Sequence, residues 1–200
     1  MELVFATNNQ HKILEIKNAI GDYYQIISLS EAGIEEEIPE DFDTLEENAS
    51  QKAQYIFDKY GGNCIADDTG LEVDALEGRP GVFSARYSKM GNLQFPEMEA
   101  NKGNIKKLLI ELENREIRTA RFRTVIALIL NERKYLFEGI IHGSILYKAS
   151  GSEGFGYDPV FQPTGFDKSF AEMDLNEKNM ISHRAIASRK LVDFLKTCNI

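Results

Sequence analysis

The sequence has too few basic residues for several large classes of protein. Lys and Arg number 23 against 32 Asp and Glu, so the 200-residue chain has a formal net charge of −9. Proteins that hold the phosphate backbone of DNA or RNA need a broad basic surface, and anionic membranes attract clusters of Lys and Arg. The shortage of basic residues therefore predicts that neither a nucleic-acid polymer nor a membrane is a partner.

Cysteines and long apolar runs are also scarce. Cys64 and Cys198 lie far apart in the sequence, so we expect reduced, buried thiols rather than a disulfide framework. The first residues lack the basic and apolar regions of a signal peptide, and no apolar run approaches the roughly 20 residues that span a bilayer. These absences predict a cytoplasmic protein.

No repeat, low-complexity tract or Pro/Ser-rich linker divides the chain. Apolar residues make up 42% of it, with twelve Phe and eight Tyr, which is enough to fill a sizeable core. Because a domain usually has roughly 100 to 200 residues, we expect residues 1–200 to form a single domain.

The apolar pattern predicts helices in alternation with strands. A short strand, Leu3–Ala6, precedes a helix that the spacing of Ile13, Ile16 and Ile20 predicts. Thr44 begins a second helix with the capping box Thr44-Leu45-Glu46-Glu47. Further elements are a helix around 105–112, a long hairpin with strands at 119–130 and 134–147, and a final helix that includes 187–198. This order predicts an α/β protein with a mixed sheet.

Two adjacent carboxylates, Asp67 and Asp68, follow a short buried strand predicted at Cys64–Ala66. Such neighbours repel each other unless a cation or hydrogen-bond donors compensate, so the pair suggests a metal site. Mg2+ commonly takes one or two carboxylates with waters and phosphates, and Glu40 could be the second ligand, although its acidic loop could instead be merely solvated. Since successive side chains on an extended backbone point in opposite directions, we expect the two aspartates to have different roles.

Two further segments suit the phosphates of a ligand. Thr7-Asn8-Asn9-Gln10-His11-Lys12 lies where a strand passes into a helix, so its backbone N–H groups could bind a phosphate, although Asn9 could simply cap the helix. Lys52 falls at the edge of the apolar face of the second helix. It is either a cation at an active site or a side chain that reaches past apolar neighbours to solvent.

Two segments near the C-terminus suit a flat polar ligand. Residues 154–159 combine two glycines, an aromatic ring and a carboxylate, although a simple turn would also explain them. His183 and Arg184 begin the last helix, where cations are unfavourable, and Lys178 lies shortly upstream. An anionic or hydrogen-bond-accepting ligand explains these cations better than helix stability does.

Taken together, six segments resemble the inosine triphosphate pyrophosphatase family over nearly the whole chain. They are residues 7–12, Glu47-Asn48-Ala49 with Lys52-Ala53, Ala66-Asp67-Asp68-Thr69-Gly70-Leu71, Pro80-Gly81-Val82-Phe83-Ser84-Ala85-Arg86-Tyr87-Ser88, residues 154–161 and Ser182-His183-Arg184. The resemblance implies an elongated α/β fold with a mixed central sheet and flanking helices, two lobes around a nucleotide cleft, and a homodimer. It also implies Mg2+-dependent hydrolysis of the non-standard triphosphates ITP, dITP and XTP to a nucleoside monophosphate and pyrophosphate.

The resemblance also implies roles for individual residues. Glu40 and Asp68 would bind Mg2+, and Asp68 would accept the proton of the attacking water, supported by Asp67 and with Lys52 as a cation near the phosphates. Glu40 is the least anchored of these, because its loop region contains seven carboxylates. The substrate would contact Thr7, Asn8, Asn9, Gln10, His11 and Lys12 at its phosphates, Thr69, and Phe155, Gly156, Tyr157, Asp158, Lys178, His183 and Arg184 at its base.

Base choice would follow from hydrogen bonding. Donors such as Lys178 and Arg184 would bond the 6-carbonyl of hypoxanthine or xanthine, whereas the amino group of adenine would meet another donor. Three alternatives stay open from the sequence: a pyrophosphatase for modified pyrimidine nucleotides, a nucleotide-binding or sensing protein without turnover, and an acidic interaction domain. The last leaves the placement of Lys12, Lys52, Lys178 and Arg184 in loops or near helix starts unexplained.

Overall fold

Helices and strands alternate along the first half of the chain in the computed structural model, which describes residues 2–20 and 24–198. The strands are β1 (Glu2–Phe5), β2 (Gln25–Ser28), β3 (Cys64–Val73), β4 (Pro80–Gly81), β5 (Thr119–Leu130), β6 (Arg133–Ile145) and β7 (Phe161–Pro163). The helices are α1 (Gln10–Ile20), α2 (Leu45–Tyr60), α3 (Ala100–Glu111), α4 (Leu175–Ile181) and α5 (His183–Thr197). No helix in these two described ranges is long and apolar enough to cross a membrane.

The strands of the described residues form one mixed sheet. Its order is β2-β1-β3-β5-β6-β7, and β4 pairs with β3 at the side of this path. β1 runs parallel to β2 and to β3, with Val4 opposite Cys64. β4 is antiparallel to β3, with Leu71 opposite Gly81, and β7 is antiparallel to β6. This confirms the expected mixed α/β sheet with flanking helices.

The chain divides into two compact units, each with its own core. Unit 1 comprises residues 1–68, 124–140 and 182–200. Its core joins apolar side chains of α1 and α5 to those of β1, β2 and parts of β3 and β5; Phe5, Ile16 and Leu191 are fully buried there. The apolar spacing that predicted α1 and α5 therefore marks the faces that these helices bury.

Unit 2 comprises residues 69–123 and 141–181. Its core contains an aromatic cluster in which the ring of Phe122 lies 4.7 Å from that of Phe161 and 6.1 Å from that of Phe170. Aromatic rings at such spacing bury large apolar areas and stabilise the core beyond area alone. That both units belong to a single domain with two lobes stays a prediction.

Strand β3 is longer than the sequence suggested. It continues from Cys64 through Asp67 and Asp68 to Val73, where the sequence analysis expected a strand that ended at Ala66. This strand needs glycine at position 70 because the backbone of β4 passes very close to it. A Cβ atom at Gly70 would lie 2.7 Å from the carbonyl oxygen of Gly81. Glycine here serves close approach rather than a turn.

The long hairpin forms as expected, with two differences. β6 begins at Arg133 and ends at Ile145, one residue before the predicted start and two before the predicted end. The turn at Asn131 and Glu132 has positive φ at both residues, as hairpin turns that match strand twist require. In β5, all seven residues from Thr124 to Leu130 are buried, so both faces of that half of the strand belong to the core.

Both cysteines are free thiols, but only one is fully buried. Cys64 has no exposed surface, and burial raises the pKa of its thiol to about 12, which leaves the reactive thiolate scarce. Cys198 is partly exposed and packs at the edge of the unit 1 core. The expectation of buried thiols is therefore confirmed for Cys64 and wrong in part for Cys198.

Candidate active site

The two adjacent aspartates of β3 contact separate sets of charged side chains within unit 1. Lys12 and Arg184 contact Asp67, whereas Lys52 contacts Asp68. The alternation of side chains along an extended strand separates the two carboxylates in this way. The expected difference between the two aspartates thus has a structural basis.

The Asp67 cluster consists of Asp67, Lys12, Arg184 and Glu15. The Nζ atom of Lys12 lies 2.9 Å from Oδ1 of Asp67, and the Nε atom of Arg184 lies 3.4 Å from its Oδ2. Arg184 also donates through Nη1 to Glu15 of α1. Two cations and two carboxylates balance, so this buried cluster has no excess charge.

Charge pairing outweighs burial for Asp67 and Arg184 but not for Lys12. Burial alone would raise the pKa of Asp67, but Lys12 and Arg184 hold it well below its usual range. For Arg184, Glu15 and Asp67 raise the pKa against the opposing effect of burial. Lys12 behaves differently, because burial outweighs its pairing with Asp67 and lowers its pKa. Asp67 is therefore ionised near neutral pH.

The Asp68 cluster consists of Asp68, Lys52 and Glu40. The Nζ atom of Lys52 lies 2.6 Å from Oε1 of Glu40 and 3.3 Å from Oδ1 of Asp68, so one ammonium group joins both carboxylates. Two carboxylates against one cation leave an excess negative charge. Lys52 is 5% exposed, which favours the site cation over the side chain that reaches solvent.

One oxygen of Asp68 is left over. Its Oδ2 atom is buried and has no hydrogen-bond partner among the described residues. Burial and the nearby Glu40 raise the pKa of Asp68 despite the opposing effect of Lys52. A buried acceptor without a partner is costly, so it marks a position where a ligand or ion is expected.

The Asp68 cluster fits a small divalent cation. Mg2+ prefers carboxylate oxygens and often uses only one or two of them, with waters and substrate phosphates completing its shell. Glu40 and Asp68 supply two carboxylates that contact the same ammonium group. The Oδ2 atom of Asp68 has no hydrogen-bond partner among the described residues, so it can bind an ion. Within the described ranges no group of three or more His, Cys, Asp or Glu side chains suits a metal ion.

Other carboxylates of the acidic loop have different partners from Glu40. Glu36 accepts hydrogen bonds from Lys59 and Tyr60, at 2.7 and 2.5 Å. Asp41 bonds to Gln51. The Nζ atom of Lys52 bonds to Glu40, the loop residue that the resemblance selected.

The segment Thr7 to Lys12 forms the entry to α1. Asn9 caps the helix, since its Oδ1 accepts from the N–H groups of His11 and Lys12 at 3.0 and 3.3 Å, and Thr7 accepts from the N–H of Asn9. The alternative prediction, that Asn9 caps the helix, is therefore confirmed. Asn8, Gln10 and His11 are exposed. Their contact with phosphates, like that of Thr69 in β3 with the substrate, stays a prediction.

The cations at the start of α5 have protein partners. Ser182 caps this helix, and the guanidinium of Arg184 contacts Glu15 and Asp67, so protein carboxylates supply the negative charge that the sequence analysis assigned to a ligand. The Nδ1 atom of His183 lies 2.6 Å from Oγ1 of Thr124. Contacts of His183 and Arg184 with a base stay a prediction.

The glycine-rich segment of unit 2 folds around Asp158. Its Oδ2 accepts from the N–H of Phe155 at 2.8 Å and from the Nζ of Lys178 at 2.9 Å. Only glycine fits at position 154, because a Cβ atom there would overlap this carboxylate. The same ammonium group lies 5.0 Å from the ring centroid of the half-buried Phe155. Asp158 thus holds an aromatic ring and a cation together.

The neighbours of Asp158 are fixed differently. The hydroxyl of Tyr157 donates to the carbonyl of Ser84 at 3.0 Å, and burial raises the pKa of this phenol. Gly156 has a φ of 63°, a backbone conformation that favours glycine. Tyr157 and Asp158 are therefore buried and fixed by contacts within unit 2, whereas Phe155 is only partly buried.

The sequence-based prediction gave no role to Glu15 or to Asn48, although Asn48 lies in one of the six segments that carry the resemblance. Glu15 gives no local signal, because its partner Arg184 lies 169 residues away. Asn48 does give one, as an amide within the buried stripe of α2, and it bonds the backbone of Phe42. A groove of about 650 Å³ on unit 1 is lined by Pro39 and Gln51, the sequence neighbours of Glu40 and Lys52, but by no predicted site residue.

Comparison with known proteins gives matches along almost the entire chain. The family model described as the Ham1 family matches residues 3–194. A dITP/XTP pyrophosphatase from Flavobacterium psychrophilum is 50% identical over 196 residues, which are 98% of this chain and 100% of the relative. The Ham1 proteins of Staphylococcus aureus and Coxiella burnetii have similar structures, with TM-scores of 0.85 and 0.88 and identities of 38% and 34%. Each structural match covers 98% of this chain and 99% of the other.

Proposed function

Since the chain belongs to the Ham1 family, we propose that it hydrolyses the non-standard purine nucleoside triphosphates ITP, dITP and XTP. The products are a nucleoside monophosphate and pyrophosphate, which removes these nucleotides from the pool. The observation that carries the site assignment is the buried Oδ2 of Asp68, which has no partner in the described ranges and lies in a cluster with an excess carboxylate. We propose that both units serve one catalytic domain.

In the proposed reaction, water attacks phosphorus and the P–O bond between the α- and β-phosphates breaks. Asp68 takes the proton of the attacking water, a role supported by the raised pKa that burial gives its carboxyl. Mg2+, held by Glu40 and Asp68, would neutralise phosphate charge when bound. Lys52 and Lys12 would add positive charge near the phosphates, and positioning with electrostatics provides most of phosphoryl-transfer catalysis.

Asp67 has a supporting role in this proposal. It is paired with Lys12 and Arg184, which keeps it ionised and leaves it a poor proton acceptor. It would hold Lys12 at the entry to α1, where the remaining residues of the segment Thr7 to Lys12 offer backbone N–H groups and side chains to the phosphates. Thr69 would contact the substrate from β3.

We assign base recognition to the Phe155 segment of unit 2 and to the start of α5. The ring of Phe155 would stack on the base, and Gly156, Tyr157 and Asp158 would line its pocket. Lys178, His183 and Arg184 would donate hydrogen bonds to the base or its neighbouring groups. A site built for a 6-carbonyl acceptor rejects adenine because the amino group leaves its donors without partners, and such mismatches discriminate by roughly 10^4-fold or more.

A substrate panel tests this function. Purified protein with Mg2+ is incubated with ITP, dITP, XTP, ATP, GTP and modified pyrimidine triphosphates, and the products are separated. We expect rapid release of pyrophosphate from the first three and turnover of ATP slower by at least about 100-fold. Orthophosphate as the first product would contradict the reaction. Preference for a pyrimidine, or tight binding without turnover, would favour the alternatives that the sequence left open.

We further propose a cytoplasmic homodimer with no nucleic-acid polymer as partner. The excess of acidic residues supports the last point, since a broad phosphate-binding surface needs basic residues. Light scattering on purified protein at several concentrations measures the mass, and a value of one 22.6-kDa chain throughout would contradict the dimer.

A further inference from the structure

The loop that contains Glu40 is attached to α2 by three side chains in succession. Each of three consecutive loop residues bonds to one helix residue, and the two series run in opposite directions. The pairs are Glu40 with Lys52, Asp41 with Gln51 and Phe42 with Asn48. Positions 48, 51 and 52 are three and four residues apart, so they share one face of the helix. We call the last two pairs the amide clamp.

Gln51 uses both ends of its amide on a single residue. Its Oε1 accepts from the backbone N–H of Asp41 at 3.0 Å, and its Nε2 donates to Oδ2 of Asp41 at 2.6 Å. The backbone bond fixes the peptide unit that directly follows Glu40. Gln51 carries no charge, so its effect on the loop is geometric rather than electrostatic.

Asn48 makes the second part of the clamp. Its Oδ1 accepts from the N–H of Phe42 at 2.9 Å, and its Nδ2 donates to the carbonyl of Phe42 at 3.0 Å. The side chain is fully buried, so these two bonds satisfy an amide that water cannot reach. The backbone on the C-terminal side of Glu40 is therefore held at two points.

The position of Glu40 needs such support. Its carboxylate is in the same cluster as Asp68, and two like charges repel across the single ammonium group of Lys52. The loop around it is also acidic, so electrostatics alone would favour movement of the loop away from Asp68. The clamp opposes that movement with hydrogen bonds that do not depend on charge at Glu40.

We propose that Gln51 and Asn48 are positioning residues that hold Glu40 beside Asp68 and thereby set the affinity of the site for its divalent cation. This inference rests on the proposed function for the identity of the site. Groups that orient metal ligands typically change metal affinity or activity by about 10- to 100-fold when removed. Gln51 is the better test, because Asn48 is buried and its removal would disturb folding as well.

The experiment compares Gln51→Ala with Gln54→Ala. Both changes remove an amide from α2 without any change of charge, but Gln54 bonds Asp58 on the helix surface and is outside the clamp. Binding of Mn2+ to the full-length protein without nucleotide is measured by water-proton relaxation, which needs no turnover. We expect Gln51→Ala to weaken Mn2+ binding by about 10-fold, and Gln54→Ala to stay within about 2-fold of the unsubstituted protein.

Two further measurements separate positioning from general damage. With ITP as substrate, Gln51→Ala should raise the half-saturating Mg2+ concentration more than it lowers kcat at saturating Mg2+. Asp41→Asn should keep the hydrogen bond that Gln51 donates and bind Mn2+ within about 3-fold of the unsubstituted protein. Asp41→Ala loses that bond but keeps the backbone bond that Gln51 accepts, so it should weaken Mn2+ binding less than Gln51→Ala does.

Mn2+ binding tests the amide clamp, and ITP hydrolysis tests the proposed function. Equal Mn2+ affinity of Gln51→Ala and the unsubstituted protein would overturn the clamp, as would an equal loss in Gln54→Ala. Absence of Mn2+ binding by the unsubstituted protein would overturn it too. Absence of ITP hydrolysis alongside the expected Mn2+ result would overturn the proposed function and leave the clamp supported.

Discussion

The two buried clusters on β3 differ in charge balance and in hydrogen bonding. In the Asp67 cluster, Lys12 and Arg184 compensate Asp67 and Glu15, and the carboxylate of Asp67 has cations at both oxygens. In the Asp68 cluster, one ammonium group serves two carboxylates, and an oxygen of Asp68 has no partner among the described residues. The first arrangement is complete without a ligand, whereas the second has negative charge left for a cation.

Adjacent residues of the same type can therefore have opposite energetic roles. A buried carboxylate with two cationic partners is compensated as long as all partners remain, but removal of one partner leaves a buried charge unpaired and destabilises the fold. A buried carboxylate without sufficient partners opposes stability, and such costs are typical of functional sites. The comparison predicts that loss of Asp68 affects activity and that loss of Asp67 affects folding.

Asp68→Asn should give the largest effect. The amide cannot accept the proton of the attacking water, so we expect turnover of ITP to fall by about 10^2- to 10^4-fold. Stability should be unchanged or higher, because a buried charge with a missing partner becomes neutral. Pyrophosphate release and urea unfolding measure the two effects. Turnover close to that of the unsubstituted protein would remove Asp68 from its proposed role.

Asp67→Asn should reverse the balance between the two effects. The substitution leaves Lys12 and Arg184 with Glu15 as the one carboxylate of the cluster, so a buried positive charge loses its partner. We expect the free energy of unfolding to fall by about 3–5 kcal/mol, as for other broken buried pairs. Asp68→Asn is the matched control, since it makes the same chemical change one residue away. Equal stability of the two variants would show that the two aspartates do not differ in their effect on folding.

Local sequence signals predicted the helices that frame these clusters. The spacing of Ile13, Ile16 and Ile20 predicted α1, and Thr44 with Glu47 predicted the start of α2, where the hydroxyl of Thr44 accepts from the N–H of Glu47. Such signals lie within a few residues of each other. Periodicity and capping rules can therefore detect them without any knowledge of tertiary structure.

The charge pairs of the two clusters join residues that lie far apart in the sequence, so rules based on neighbouring residues cannot predict them. Asp67 and Asp68 suggested the end of a strand, but β3 continues through them to Val73, and the cations that pair with Asp67 come from distant parts of the sequence. Lys12 lies 55 residues from Asp67, and Arg184 lies 117 residues from it. Resemblance to a family gave roles to most of the candidate residues, but it gave none to Glu15, Asn48 or Gln51, whose side chains bond Arg184 and the loop beside Glu40.

The carboxylate of Glu36 is accessible to water and can be compared with the carboxylates of the two buried clusters. Glu36 accepts hydrogen bonds from Lys59 and Tyr60, and these bonds lower its pKa to about 2, although all three side chains remain accessible to water. Water and salt screen such pairs, so their contribution to stability is small. Both buried clusters should therefore affect the protein far more than this exposed network.

Glu36→Gln should give the smallest effect, with a Tm lowered by at most about 3 °C at pH 7. Because the pKa of Glu36 is lower in the folded protein than its unfolded value of about 4.3, its stabilising effect is complete above that value. It is lost as pH falls from about 4 towards 2, so the Tm difference should narrow over that range. Glu37→Gln is the control, since it removes the same charge from an exposed neighbour. A Tm difference for Glu36→Gln that is independent of pH, or as large as that of Asp67→Asn, would show that burial does not separate these carboxylates.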